Sequence, residues 1–184
     1  ESVSDGHPDK VADQISDGLV DAGLTEGDRT TRVAIETLVA TNHVTLAGEV
    51  KNFNVVDVNQ IVRDTVKKIG YEQEGFHWNT LEIDNHIHSQ SSDIALGTDD
   101  FGAGDQGIMI GYACNDNEEY IPQEYYLARK LNREIYKEYP YDGKTQVTIA
   151  GKNVSIVASF QMAPKSALER ICKAFAKTEK LKIK

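Results

Sequence analysis

The sequence predicts an α+β fold: two similar units, each an antiparallel sheet with helices packed on one face. Three observations carry that expectation. Apolar residues recur at helical spacing in four places. Two pairs of alternating segments read as hairpins. The order helix, hairpin, helix occurs twice along the 184 residues.

The first helix is expected over Asp9 to Leu24, where Val11, Ile15, Leu19 and Ala22 recur near a 3.6-residue period. Thr31 to Val39 and His43 to Val50 alternate as two strands, with Thr41-Asn42 as the turn between them. Asp57 caps a second helix whose inner face is Val58, Ile61, Val62, Thr65 and Ile69, and Gly70 stops it. Thr80 to Asn85 reads as a third strand. In the second half, Leu127, Leu131 and Ile135 mark a helix over Tyr125 to Tyr136. Gln146 to Ala150 and Val154 to Phe160 read as a hairpin around Gly151-Lys152-Asn153. Pro164 opens a last helix through Leu168, Ile171, Cys172 and Phe175. The expected division is an N-terminal domain over 1–97, a Gly-rich mobile loop over 98–110 and a second domain over 111–184. That second domain reads as incomplete, because a strand could begin at Leu181 where the sequence stops.

Composition narrows the function. Net charge is −9, from 20 basic and 29 acidic residues, which argues against bulk nucleic-acid binding. No window approaches the ~20 apolar residues of a membrane span. The opening ESVSDGHPDK is polar and does not read as a signal peptide. Cys114 and Cys172 form no CxxC pair, so two reduced thiols in a cytoplasmic compartment are expected.

Three segments could carry chemistry. In the first, His7, Pro8 and Asp9 lead from a loop into a helix. A helix N-terminus favours anions, and a neighbouring His can donate to a phosphate oxygen. Asp9 either caps the helix or ligates Mg²⁺, which takes oxygen ligands.

In the second, Glu36 and Glu49 interrupt otherwise apolar strands. A two-residue turn pairs Ala40 with His43, Glu36 with Ala47 and Glu49 with Ala34. Both carboxylates then share a face beside small alanines. Val33, Ile35, Val39, Val44, Leu46 and Val50 take the opposite, core face. A three-residue turn would separate the glutamates. The shared face suits a cation or an ammonium group, or is an ordinary solvent face.

The third is Gly102-Ala103-Gly104-Asp105-Gln106-Gly107, a loop that is neither GxGxxG nor a P-loop. Asp142-Gly143-Lys144 before a strand is a turn with an exposed lysine unless a ligand uses it.

Taken in order, ESVSDGHPDKVADQISD, VAIETLV, AGEV, GAGDQGIMIGYA and KTQVT resemble the methionine adenosyltransferase (S-adenosylmethionine synthetase) family, over its amino-terminal and part of its central region. The resemblance implies synthesis of S-adenosylmethionine from ATP and L-methionine, with release of phosphate and pyrophosphate. Mg²⁺ and K⁺ are the implied ions. By motif position, His7 matches the His on the phosphate chain, Asp9 a Mg²⁺ ligand and Glu36 a K⁺ ligand. Glu49, Gln90 and Asp105 match methionine-binding positions. Asp142 and Lys144 match ATP-binding positions, with Lys144 beside His7 in the catalytic set.

Segments resembling PTGRF, GGP and GGGAFSGKD, which continue the family's sequence, do not occur here. They carry further cations and metal-binding carboxylates. The resemblance therefore implies a split enzyme: a hetro-oligomer in which a second chain supplies those segments and the active sites are interfacial. A non-catalytic regulatory subunit that binds a full-length synthetase is the competing expectation, and a fragment of a longer synthetase chain is the third. Retention of His7, Asp9, Glu36, Glu49 and Asp105 speaks for the enzyme.

Overall fold

The computed structural model describes residues 1–55, 57–91 and 106–182. It divides the chain into one unit of residues 1–10 and 110–184 and another of residues 11–109. The difference from a simple front-and-back division has a physical cause. A short strand, β1 (Ser2–Val3), joins the sheet of the C-terminal part.

The unit formed by residues 11–109 follows the predicted order. Most of α1 (Pro8–Glu26) belongs to it, with Val11, Ile15 and Leu19 buried. The helix begins at Pro8, whose fixed φ suits a first helical position. Asp9 thus lies inside the first turn rather than capping it, where its charge suits the helix dipole. β2 (Arg32–Ala40) and β3 (His43–Lys51) form the expected antiparallel hairpin. Ile35, Val44 and Leu46 are buried on one face. Ser16 of α1 shares a 2.8 Å hydroxyl hydrogen bond with Thr37 of β2.

α2 (Val58–Ile69) also follows expectation. Asp57 accepts from the Gln60 amide at 2.9 Å, and Gly70 turns the chain with φ 106° while its N–H meets the carbonyls of Val66 and Lys67. Asp57→Ala removes one of the helix's capping acceptors. It is expected to cost about 1 kcal/mol, read as a lower urea midpoint.

Two features of this unit were not predicted. β4 (Glu72–Gln73) and β5 (Phe76–His77) form a small hairpin, pinned where the Trp78 indole donates to Glu72 at 2.8 Å. The third strand, β6 (Glu82–Ser89), runs later than Thr80–Asn85 and lies parallel to β3. The sheet is therefore mixed, in the order β2-β3-β6. The intervening α2 and β4–β5 supply the crossover a parallel pair needs.

In the other unit, α3 (Gln123–Tyr136) and α4 (Lys165–Thr178) accompany the antiparallel strands β7 (Gly143–Ala150) and β8 (Asn153–Phe160). The hairpin turn is Gly151-Lys152, since Ala150 pairs with Asn153. Leu127, Leu131, Ile135, Val147, Phe160, Ile171 and Phe175 form the core. β1 lies on the far side of β7. Three polar contacts fix it and its flank: Ser4 Oγ donates to Tyr141 O at 2.7 Å, Asn132 Nδ2 to Ser2 O at 3.2 Å, and Thr145 Oγ1 to Ala128 O at 2.7 Å. At the outer edge of β8, the Val154 amide donates to Lys182 O at 2.9 Å. Residues 181–182, where a strand was expected to begin, are not in a strand. Both cysteines are free thiols. Among the described residues no helix is long and apolar enough to cross a membrane.

Candidate functional site

The hairpin register is the one the two-residue turn demands. Ala34 pairs with Glu49, Glu36 with Ala47 and Ala40 with His43. Paired residues share a face, so both carboxylates stand on the side away from Ile35, Val44 and Leu46. Glu36 is exposed and Glu49 half-buried. Neither has a hydrogen-bond or ion-pair partner among the described residues. A half-buried carboxylate with no donor suits a ligand that brings one.

The parallel strand extends this face. Ala47 pairs with His86 and Glu49 with His88. Gln90 stands next in the same alternation and continues the ladder, its amide donating to Val50 O at 2.8 Å. Gln90 Oε1 is a buried acceptor with no donor among the described residues. Buried acceptors are normally satisfied, so this one marks a place for a donor.

Gly48 makes the neighbouring geometry possible. Its φ is +143°, and a Cβ there would stand 2.0 Å from Ala34 O. Only glycine lets β3 pass that close to β2 while setting Glu49 in register.

His7, Asp9, Asp142 and Lys144 belong to the other unit, where the β1–β7 pairing gathers them. Val3 pairs with Lys144, and the Ser4 amide donates to Gly143 O at 2.9 Å. The chain then turns, the His7 amide donating to Ser4 O at 3.0 Å. Gly6 rests against Tyr141, whose carbonyl carbon would be 2.7 Å from an added Cβ. Asp142 O receives the Gln161 amide at 2.8 Å, which fixes the entry to β7.

The His7 side chain is 12% exposed and that of Asp9 82%. The Asp9 amide donates to His7 Nδ1 at 3.2 Å. In the neutral ring the proton therefore resides on Nε2, which leaves His7 a donor for an incoming anion. Lys144 is half exposed, and Glu1 is 4.0 Å away, too far to hold it firmly.

Among the described residues no group of three or more His, Cys, Asp and Glu could enclose a metal. The exposed carboxylate of Asp9 still fits a Mg²⁺ ion shared with an anionic ligand, since that ion keeps waters and needs only one or two protein carboxylates. The unpartnered Glu36 offers a hard oxygen to K⁺ in the same way. Asp105, and the expected mobile loop as far as that residue, lie outside the described residues.

Sequence reasoning missed His86 and His88 as members of the carboxylate face. Their signal was present in the alternation Asp84-Asn85-His86-Ile87-His88, and the strand was ended too early to use it. On the same face His43 bridges acids, with Nε2 3.0 Å from Asp84 Oδ2 and Nδ1 3.6 Å from Glu82 Oε2.

Residues 1–92 match the sequence profile described as S-adenosylmethionine synthetase, N-terminal domain, and residues 100–179 that of the central domain. S-adenosylmethionine synthase 2 of Rhodospirillum rubrum is 47% identical over 184 residues, covering 89% of this chain and 47% of that protein. S-adenosylmethionine synthase of Paramagnetospirillum magneticum is 47% identical over 183 residues, covering 88% and 47%. The Pelagibacter ubique synthase is 49% identical over 164 residues, covering 80% and 42%. The chain spans about half the length of these curated relatives.

Proposed function

Because the chain belongs to the S-adenosylmethionine synthetase family, we propose that it forms S-adenosylmethionine from ATP and L-methionine, releasing phosphate and pyrophosphate, together with a second chain that supplies the remaining segments. The observation that carries the reading is the sheet face with unpartnered Glu36 and Glu49 and the orphaned Gln90 Oε1. Glu49 and Gln90 offer acceptors to the methionine ammonium, with Asp105 as a third methionine contact. The nucleophile is a neutral thioether, so no general base is required. The barrier lies in aligning sulfur with C5′ and in the charge that collects on the departing oxygen.

His7, donating from Nε2, takes up part of that charge, and Lys144 completes the catalytic set from the ATP nucleoside side. Asp142 contacts the nucleoside side. Mg²⁺ at Asp9 and K⁺ at Glu36 would supply electrostatic stabilisation of the bound anion. Two free thiols favour a reducing, cytoplasmic setting for the hetero-oligomer.

His7→Ala in the assembled enzyme is expected to lower kcat by about 10²–10³, the usual loss for one donor to a developing oxyanion. Assembly, followed by size exclusion with light scattering, is expected to persist. Undiminished S-adenosylmethionine formation by the His7→Ala protein would favour a regulatory subunit instead. Full turnover by the isolated chain would remove the need for a partner.

A further inference from the structure

We propose that the cleft between β1 and one face of α3 is a binding site for a compact polyphosphate anion, with inorganic pyrophosphate the simplest probe. The cleft has a volume of about 450 Å³, within the ~300–1,000 Å³ range of small-molecule sites. Its lining includes Asp5, Lys10, Tyr125, Arg129, Arg133 and Tyr136. Neither His7 nor Lys144 lines it.

Four of these residues form a stripe along α3, at positions i, i+4, i+8 and i+11. The stripe reads Tyr, Arg, Arg, Tyr. Lys10 adds a third cation, against the single carboxylate of Asp5. In a chain of net charge −9, a cleft lined by three cations and one acid is a local inversion of sign.

The two guanidinium groups differ in availability. Arg133 has no ion-pair partner among the described residues. Arg129 pairs with Glu119 at 3.0 Å, both side chains roughly 40% exposed, so the pair is weak and exchangeable. Guanidinium forks bind phosphoryl oxygens two at a time, and two of them one helical turn apart suit linked phosphoryl groups better than a lone carboxylate. Burial, aided by the nearby Asp5 charge, pushes the Tyr136 phenol up from its ordinary value, so it remains an O–H donor. The cleft also has a built-in reporter: the Asn132 side-chain amide, which lines it and donates to Ser2 O.

The test is a titration of the chain with inorganic pyrophosphate, without divalent metal and at low salt, followed by amide NMR. Saturable shifts are expected at the Asn132 side-chain amide and along α3. Arg133→Ala should weaken that binding about tenfold or more, Arg133→Lys less, and Lys144→Ala should leave the shifts at Asn132 in place. Asp5→Asn removes the one carboxylate among the cleft's described lining residues and should tighten binding. Unaltered shifts in Arg133→Ala, loss of them in Lys144→Ala, or sulfate binding as tightly as pyrophosphate would each overturn the proposal. If Arg133→Ala does not fold, the Asp5→Asn protein decides: equal or weaker affinity counts against the site.

Discussion

Replacing Glu49 by Gln is expected to weaken L-methionine binding by roughly 30- to 150-fold, equivalent to about 2–3 kcal/mol for a lost charge-assisted contact. The side chain is half-buried, faces Ala34 and His88, and has no partner among the described residues. Nothing within the fold therefore depends on its charge, so the unfolding midpoint should stay within about 0.5 kcal/mol of the parent. Isothermal titration with methionine, run beside a urea melt, separates the two effects. Equal affinity in the two proteins would show that the ammonium is held elsewhere.

Gly48→Ala is the second large effect, and it acts on stability. A methyl group there meets a backbone oxygen, Ala34 O, at 2.0 Å, not a side chain that could rotate away. The backbone also sits at φ +143°, which an L-residue adopts only with strain. Relief requires the β2–β3 ladder to open in its middle, where Ile35 pairs with Gly48. A loss of about 3 kcal/mol or more is expected. Hydrogen exchange should localise it: β2, β3 and β6 amides lose protection, while those of β7 and β8 keep theirs. Uniform behaviour across both sheets, or an unchanged melt, contradicts this account.

The hairpins were legible because a period of two leaves little freedom. Once Thr41-Asn42 is the turn, Glu36 and Glu49 must share a face, and they do. Asp57 and Gly70 were equally readable, since a cap and a left-handed stop are local chemistry. What sequence alone could not supply was non-local pairing. β1 is two residues long and has no periodicity of its own, so only its hydrogen bonds to β7 define it. The parallel placement of β6 depends on how α2 and β4–β5 return the chain. The alternation through His86 and His88 was readable, but which residues flank them is set by a partner strand some 40 residues away. The role expected of Lys144 came from family motifs, as did the choice between the two readings of Asp9, and both are exposed side chains of a kind any surface carries.

The β1–β7 pairing has a consequence for how the protein is made. Ser2 and Thr145 are separated by 143 positions, and all of residues 11–109 lie between them in the sequence. At ~5–20 residues per second, a ribosome needs roughly 7–30 seconds to pass from one to the other. Over that interval the inserted unit can collapse on its own contacts, while the segment bearing His7 has no sheet to join. Closing so long a loop adds little to the equilibrium cost, because that cost grows only logarithmically. The delay is instead a matter of timing. His7 is translated before every strand of its own sheet except β1, and it is positioned only after β7 has emerged.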